Sequence, residues 1–92
     1  MLLYITERKW GGKKMNKEKI IKGASEILGI SADDKHLSSC LEMVIAENYG
    51  YELSDEAWTW GLAEAYAFSA GMFEKWKECV AKFNKLKYEV AK

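Results

Sequence analysis

The chain of 92 residues contains no proline. Proline is the strongest helix breaker, so the seven glycines are the only strong interruptions in the pattern. The longest run without a charged residue covers nine positions, 65–73, and is too short to cross a bilayer. The start of the chain also lacks the apolar core and small-residue cleavage site of a secretory signal. We therefore expect a cytoplasmic helical protein without a membrane span.

An excess of charge of either sign is also absent, because 14 basic residues balance 14 acidic ones. A balanced chain has no overall field that would attract nucleic acid or anionic lipid. The charges are nevertheless unevenly placed, with nine acids and one lysine in residues 23–64, and six lysines and three acids in residues 72–92. We expect the last helix to lie across the acidic middle of the chain.

Cysteine and histidine are scarce, which limits the chemistry available. The only two cysteines, Cys40 and Cys79, lie in helical patterns, and without an export signal we expect reduced thiols. His36 and Cys40 are four residues apart and could chelate a metal with Cys79 as a third ligand. No CxxC pair or second histidine supports such a site, so we expect two buried thiols, no metal and no cofactor.

The apolar spacing predicts an all-α fold, a small antiparallel bundle of about four helices. These are expected near residues 17–28, 32–48, 54–70 and 72–90. Gly29 and Gly50 are expected to end the first two helices. Glycine is unfavourable inside a helix. We therefore expect Gly61 to lie where another helix packs closely, and Gly71 to mark a break. One continuous helix through residues 54–90 is the competing interpretation.

Two segments carry helix-start signals. Ser31 precedes Asp34 by three residues, which predicts a capping box that opens the second helix. Ser54 is followed by two acids, and Leu53 and Trp58 have the spacing of a hydrophobic staple.

Residues 1–14 are interpreted as a translated leader or a flexible extension, and residues 15–92 as one helical domain. The codons for the segment Trp10 to Lys14 can contain a bacterial ribosome-binding sequence at the usual distance from the Met15 codon. We therefore expect Met15 to be the native start, in a protein of a bacterium, phage or mobile element. The alternative is a genuine extension whose residues Leu2 to Ile5 clip onto the bundle.

The segment from Ala24 to Ser31 resembles the turn of a helix–turn–helix motif. The next helix departs from that motif, since Lys35 and Ser38 occupy positions that need buried apolar residues. Asp33 and Asp34 would in addition repel a phosphate backbone. We therefore reject DNA reading by this element and interpret it as a capped corner. Nucleic-acid binding by the lysines of the last helix remains the alternative function.

The third helix is apolar on opposite sides, because Glu64 is the only ionisable carboxylate or amine between Ala57 and Phe73. A helix that is apolar all round has to be covered on more than one face. Either the protein's own helices cover both faces or a partner covers one. The candidate partner-binding residues are Trp60, Ala63, Glu64, Ala67, Phe68 and Gly71.

These observations predict a protein that is not an enzyme, because one histidine, two core cysteines and Glu64 do not form a catalytic set. We expect it to act by binding another protein or itself. Homodimerisation and inhibition or adaptation of a host protein are the two forms of that prediction.

Overall fold

The computed structural model describes residues 15–91, without the side chains of 89–91, and residues 1–14 lie outside the described part. The expectation of a leader therefore stays a prediction. The described chain forms four helices that pack on one another, which confirms the all-α bundle. They are α1 (Lys17–Leu28), α2 (Lys35–Glu47), α3 (Asp55–Ser69) and α4 (Phe73–Ala91).

Helix α1 ends as predicted. Gly29 adopts a left-handed conformation with φ 74°, and the amide of Ile30 donates to the carbonyl of Ser25 at 3.0 Å. This bond closes a Schellman motif and uses a carbonyl that the helix itself leaves free. The buried face of α1 carries Ile20, Ala24 and Leu28.

The predicted start of α2 was wrong by three residues. The Asp34 carboxylate, and not Ser31, caps the helix by accepting from the amides of His36 at 2.8 Å and Leu37 at 3.2 Å. The Ser31 hydroxyl accepts from the amide of Asp33 at 3.1 Å and so stabilises the turn before the helix. Both oxygens suit a helix N-terminus. The Asp34 carboxylate reaches two amides of α2, whereas the Ser31 hydroxyl reaches the amide of Asp33 in the turn. At the other end α2 stops at Asn48, two residues before Gly50.

Helix α3 starts and stops as predicted. The Ser54 hydroxyl accepts from the amide of Ala57 at 3.1 Å, and the staple residues Leu53 and Trp58 are both buried. Gly71 is left-handed at φ 75°, and the amide of Met72 donates to the carbonyl of Ala67 at 2.8 Å. The break near Gly71 is confirmed, and the continuous helix over residues 54–90 is wrong.

Helix α3 is the hub of the bundle, because it packs against each of the other three helices. Helix α3 runs antiparallel to α2 and to α4. The start of α2 meets the end of α3 where the Tyr66 hydroxyl donates to Asp34 at 3.1 Å. Helix α4 returns along α3, so that a Cβ on Gly61 would lie 2.9 Å from the Phe83 ring. This close approach is the packing reason expected for Gly61.

Helix α4 contributes Cys79 and Phe83 to the core. Phe73 was counted in the apolar stretch of the third helix, but it begins α4 and is 59% exposed. The Glu78 carboxylate pairs with Lys75 at 3.6 Å. Lys87 of α4 reaches the middle of the chain, where it donates to the neutral side-chain oxygen of Asn48 at 2.9 Å. The predicted charge pairing of the last helix with the acids of residues 23–64 stays a prediction.

Candidate functional site

The predicted partner-binding residues of α3 do not share one surface. Ala63 and Ala67 are completely buried in the protein's own core. In this conformation neither alanine can touch a partner, because the protein's own helices cover both side chains. For these two positions the structure agrees with the alternative that α3 is a central helix.

Trp60 and Glu64 lie half-buried on the side of α3 that faces α4. The Lys82 ammonium lies 5.7 Å from the centre of the Trp60 ring, a cation–π arrangement. Burial raises the pKa of the Glu64 carboxyl, the nearby Glu47 carboxylate raises it further, and the Lys87 ammonium partly offsets both effects. This region is a partly covered seam between two helices and offers a partner little free apolar area.

The accessible part of the predicted set is where α3 turns into α4. Phe68 is 61% exposed, Gly71 is exposed in the turn, and Phe73 is 59% exposed. The half-buried Trp76 ring lies 5.7 Å from the Phe68 ring, centre to centre. We call Phe68, Gly71, Phe73 and Trp76 the corner surface.

Phe73 was missed as a surface residue because its position was counted in the period of the third helix. Gly71 ends that period and α4 starts a new one. Counted in α4, Phe73 follows Met72 by one residue and is rotated by about 100° from the core stripe that Met72 begins. Gly71 is visible in the sequence as a helix break. Counting helical positions afresh after Gly71 would have placed Phe73 outside the core stripe and so on the surface.

A polar cluster joins the start of α2 to the end of α3. The His36 Nε2 atom lies 2.7 Å from the Ser69 hydroxyl and 3.8 Å from the Cys40 sulfur. Ser69 in turn donates to the carbonyl of Tyr66 at 3.1 Å. Burial raises the pKa of the Cys40 thiol; the Ser69 contact lowers it and the Asp34 carboxylate raises it. The thiol is thus held in its protonated, non-nucleophilic form.

The metal site considered from sequence does not assemble. His36 and Cys40 are adjacent, but Cys79 lies in the core on α4, where burial raises its pKa to about 11. Among residues 15–91 no group of three or more histidine, cysteine or acidic side chains is placed to hold a metal ion.

A cleft of about 460 Å³ opens between α1 and the first turn of α3. Its charged lining combines two lysines with three acids, and its neutral lining includes Gly23 and Thr59. The charged residues are Lys19, Lys22, Glu26, Asp55 and Glu56. Charges of both signs therefore lie side by side in this cleft.

Within the described part of the chain, every helix is too short or too polar to span a membrane. Comparisons with protein-family models, with curated protein sequences and with solved structures each found no match.

Proposed function

We propose that the protein acts without catalysis, by binding another protein through the corner surface. The observation that carries the proposal is the exposure of Phe68 and Phe73, both near 60%, on either side of one tight turn. The expected role as an inhibitor or adaptor of a host protein is part of this proposal.

Large aromatic side chains supply much of the free energy of protein interfaces. Each buries a wide area and has only two side-chain torsions to immobilise. At the corner surface, Phe68 and Trp76 already contact each other. Met72, in the turn between α3 and α4, is half-buried and packs against the core. A partner would therefore meet a largely preformed surface and would lose little conformational entropy in ordering it.

Three lysines of α4 support this proposal over nucleic-acid binding. Lys82 lies over the Trp60 ring, and Lys75 pairs with Glu78. Lys87 donates to Asn48 and lies 4.3 Å from the centre of the Tyr51 ring. Each of these ammonium groups would have to leave a contact within the protein before it could bind a phosphate.

The burial and the raised pKa values of the two thiols argue against a cysteine nucleophile. Both cysteines are buried and both have raised pKa values. A cysteine nucleophile requires a thiolate, which these environments disfavour.

The proposal is tested by comparing variants of the full chain as affinity baits in a lysate of the source organism. Phe68→Ser removes an exposed ring at the corner surface, and Trp60→Ala tests the neighbouring seam between α3 and α4. Met43→Ser is the matched control, because Met43 is an exposed apolar residue, 45% accessible, on α2. Far-UV circular dichroism checks that all three variants stay folded.

We expect one protein to co-purify in fixed ratio with the wild type and with Met43→Ser, and to be lost with Phe68→Ser. Isothermal titration with that purified protein should show the same order of affinities. A partner that binds the wild type and Phe68→Ser equally would overturn the assignment to the corner surface. Salt-dependent retention of RNA or DNA that is lost when Lys82 and Lys85 are changed to Glu would favour the alternative function.

A further inference from the structure

Helix α4 has a third face that neither packs on α3 nor carries the main charges. Its core stripe begins at Met72 and includes Cys79 and Phe83, and its charged face includes Glu74, Glu78 and Lys85. The remaining face, which we call the outer stripe, holds one charged residue. It consists of Phe73, Lys77, Val80, Ala81, Asn84 and Tyr88.

The outer stripe is accessible along its length. Phe73 and Tyr88 at its two ends are 59% and 61% exposed. Between them Lys77, Ala81 and Asn84 are exposed, and Val80 is half-buried. From Phe73 to Tyr88 the stripe extends over about 22 Å, at 1.5 Å per residue.

The outer stripe is complementary to the same stripe of a second copy that runs in the opposite direction. When two identical helices pair antiparallel about a two-fold axis, residues at equal distances from the centre meet. With the centre between Val80 and Ala81, these two small side chains meet each other. The ring of Phe73 then meets that of Tyr88, which gives an aromatic pair at each end.

The polar positions match as well. The same pairing brings the Lys77 ammonium opposite the side chain of Asn84, whose carbonyl oxygen can accept a hydrogen bond. Glu74 and Lys85 flank one edge of the stripe near its opposite ends. An antiparallel partner brings the partner's Lys85 near Glu74, so the edge gains two symmetric ion pairs. A parallel partner would align like charges with like.

We infer that α4 pairs antiparallel with α4 of a second copy of the chain through the outer stripe. The pairing shares only Phe73 with the corner surface and does not depend on the identity of any other partner. It places the two corner surfaces at opposite ends of the paired helices. Because Phe73 is occupied in the pairing, a dimer would present two copies of the rest of the corner surface, with Phe68 and Trp76 in each. It would thus bind a repeated or dimeric target with avidity.

The test is sedimentation equilibrium of the full chain over a concentration series at low salt. We expect the mass to rise from 10.5 kDa toward twice that value as concentration increases. Ala81→Glu places two carboxylates at the centre of the pair and should abolish the rise. Ala46→Glu, the same change at an exposed alanine of α2, should leave the rise intact.

Charge reversal tests the direction of the pairing. Glu74→Lys or Lys85→Glu alone should weaken the dimer several-fold at low salt, and the two together should restore it. A mass that stays at 10.5 kDa up to millimolar concentration overturns the inference, as does a dimer that survives Ala81→Glu. A double variant weaker than both single variants also contradicts the antiparallel arrangement.

The same variants separate this inference from the proposed function. Ala81→Glu should remove self-association and leave capture through Phe68 detectable, whereas Phe68→Ser should remove capture and leave the mass increase unchanged. The inference of self-association can therefore fail while the proposal of partner binding holds, and the reverse is also possible.

Discussion

At the residue scale, the two thiols have environments that suppress their reactivity. Cys79 is fully buried, and burial, as the main cause, raises its pKa to about 11. At pH 8 about one such thiol in a thousand is ionised. We expect neither Cys79 nor Cys40 to react with Ellman's reagent in the folded protein within minutes, and both to react fully in guanidinium chloride. Rapid reaction of one thiol under native conditions would show that the core opens there.

Glu64 gives a prediction about pH. Burial, as the main cause, raises the pKa of its carboxyl above the ordinary value of 4.5. Between the ordinary and the raised value the folded state binds more protons than the unfolded state, so Glu64 adds stability as pH falls through this window. Above the raised pKa the full penalty of the buried charge is present. Glu64→Gln should therefore raise the melting temperature at pH 7 and lose this advantage below pH 4.5.

The control for Glu64 is Glu52→Gln, because Glu52 is an exposed acid in the loop before α3. It should leave the difference in melting temperature between pH 7 and pH 4 as in the wild type. If Glu64→Gln lowers the melting temperature at pH 7, the carboxylate is stabilised by a partner, and the assignment of its environment is wrong.

At the element scale, the start of α2 can be tested by removing its caps. The Asp34 side chain accepts from two α2 amides and from the Tyr66 hydroxyl, whereas Ser31 accepts from one turn amide. Asp34→Ala should cost about 1–2 kcal/mol, or roughly 4–8 °C in melting temperature per kcal/mol for a domain of this size. Ser31→Ala should cost only a few tenths of the free energy that Asp34→Ala costs. Asp33→Ala is the matched acidic control. A larger loss for Ser31→Ala than for Asp34→Ala would place the start of α2 at Ser31.

The bounds of the helices were predictable to within a few residues because their signals are local. Gly29, Ser54 and Gly71 act through backbone angles and nearest amides, which the sequence specifies directly. The start of α2 was predicted three residues too early, because Ser31 and Asp34 can both cap a helix and only the three-dimensional turn decides between them.

The candidate site was harder to predict because it depends on which helix covers which face. The sequence shows that α3 is apolar all round but does not say that its own neighbours bury Ala63 and Ala67. It also could not show that Phe68 stays outside the core, since Phe68 is as apolar as the buried Leu62. Such distinctions arise from the crossing of α3 and α4 at Gly61, a long-range contact between residues over twenty positions apart.

At the scale of the whole molecule, the central position of α3 bears on cooperativity. Helices α1, α2 and α4 each pack against α3, and residues of all four helices contribute to one core cluster. A helix that loses α3 loses most of the surface that covers it, so we expect the domain to unfold in one step.

A conservative change in α1 should consequently shift the unfolding transition that is measured by probes in α4. Ile20 is fully buried on α1, and Ile20→Val should cost about 0.5–1.5 kcal/mol. In a Trp10→Phe background, fluorescence reports on Trp58, Trp60 and Trp76, which belong to α3 and α4, while far-UV circular dichroism reports on all helices. Ile20→Val should shift the urea midpoints of both signals equally. If circular dichroism shows an early transition that fluorescence does not follow, α1 unfolds separately, and α3 does not couple the bundle into one unit.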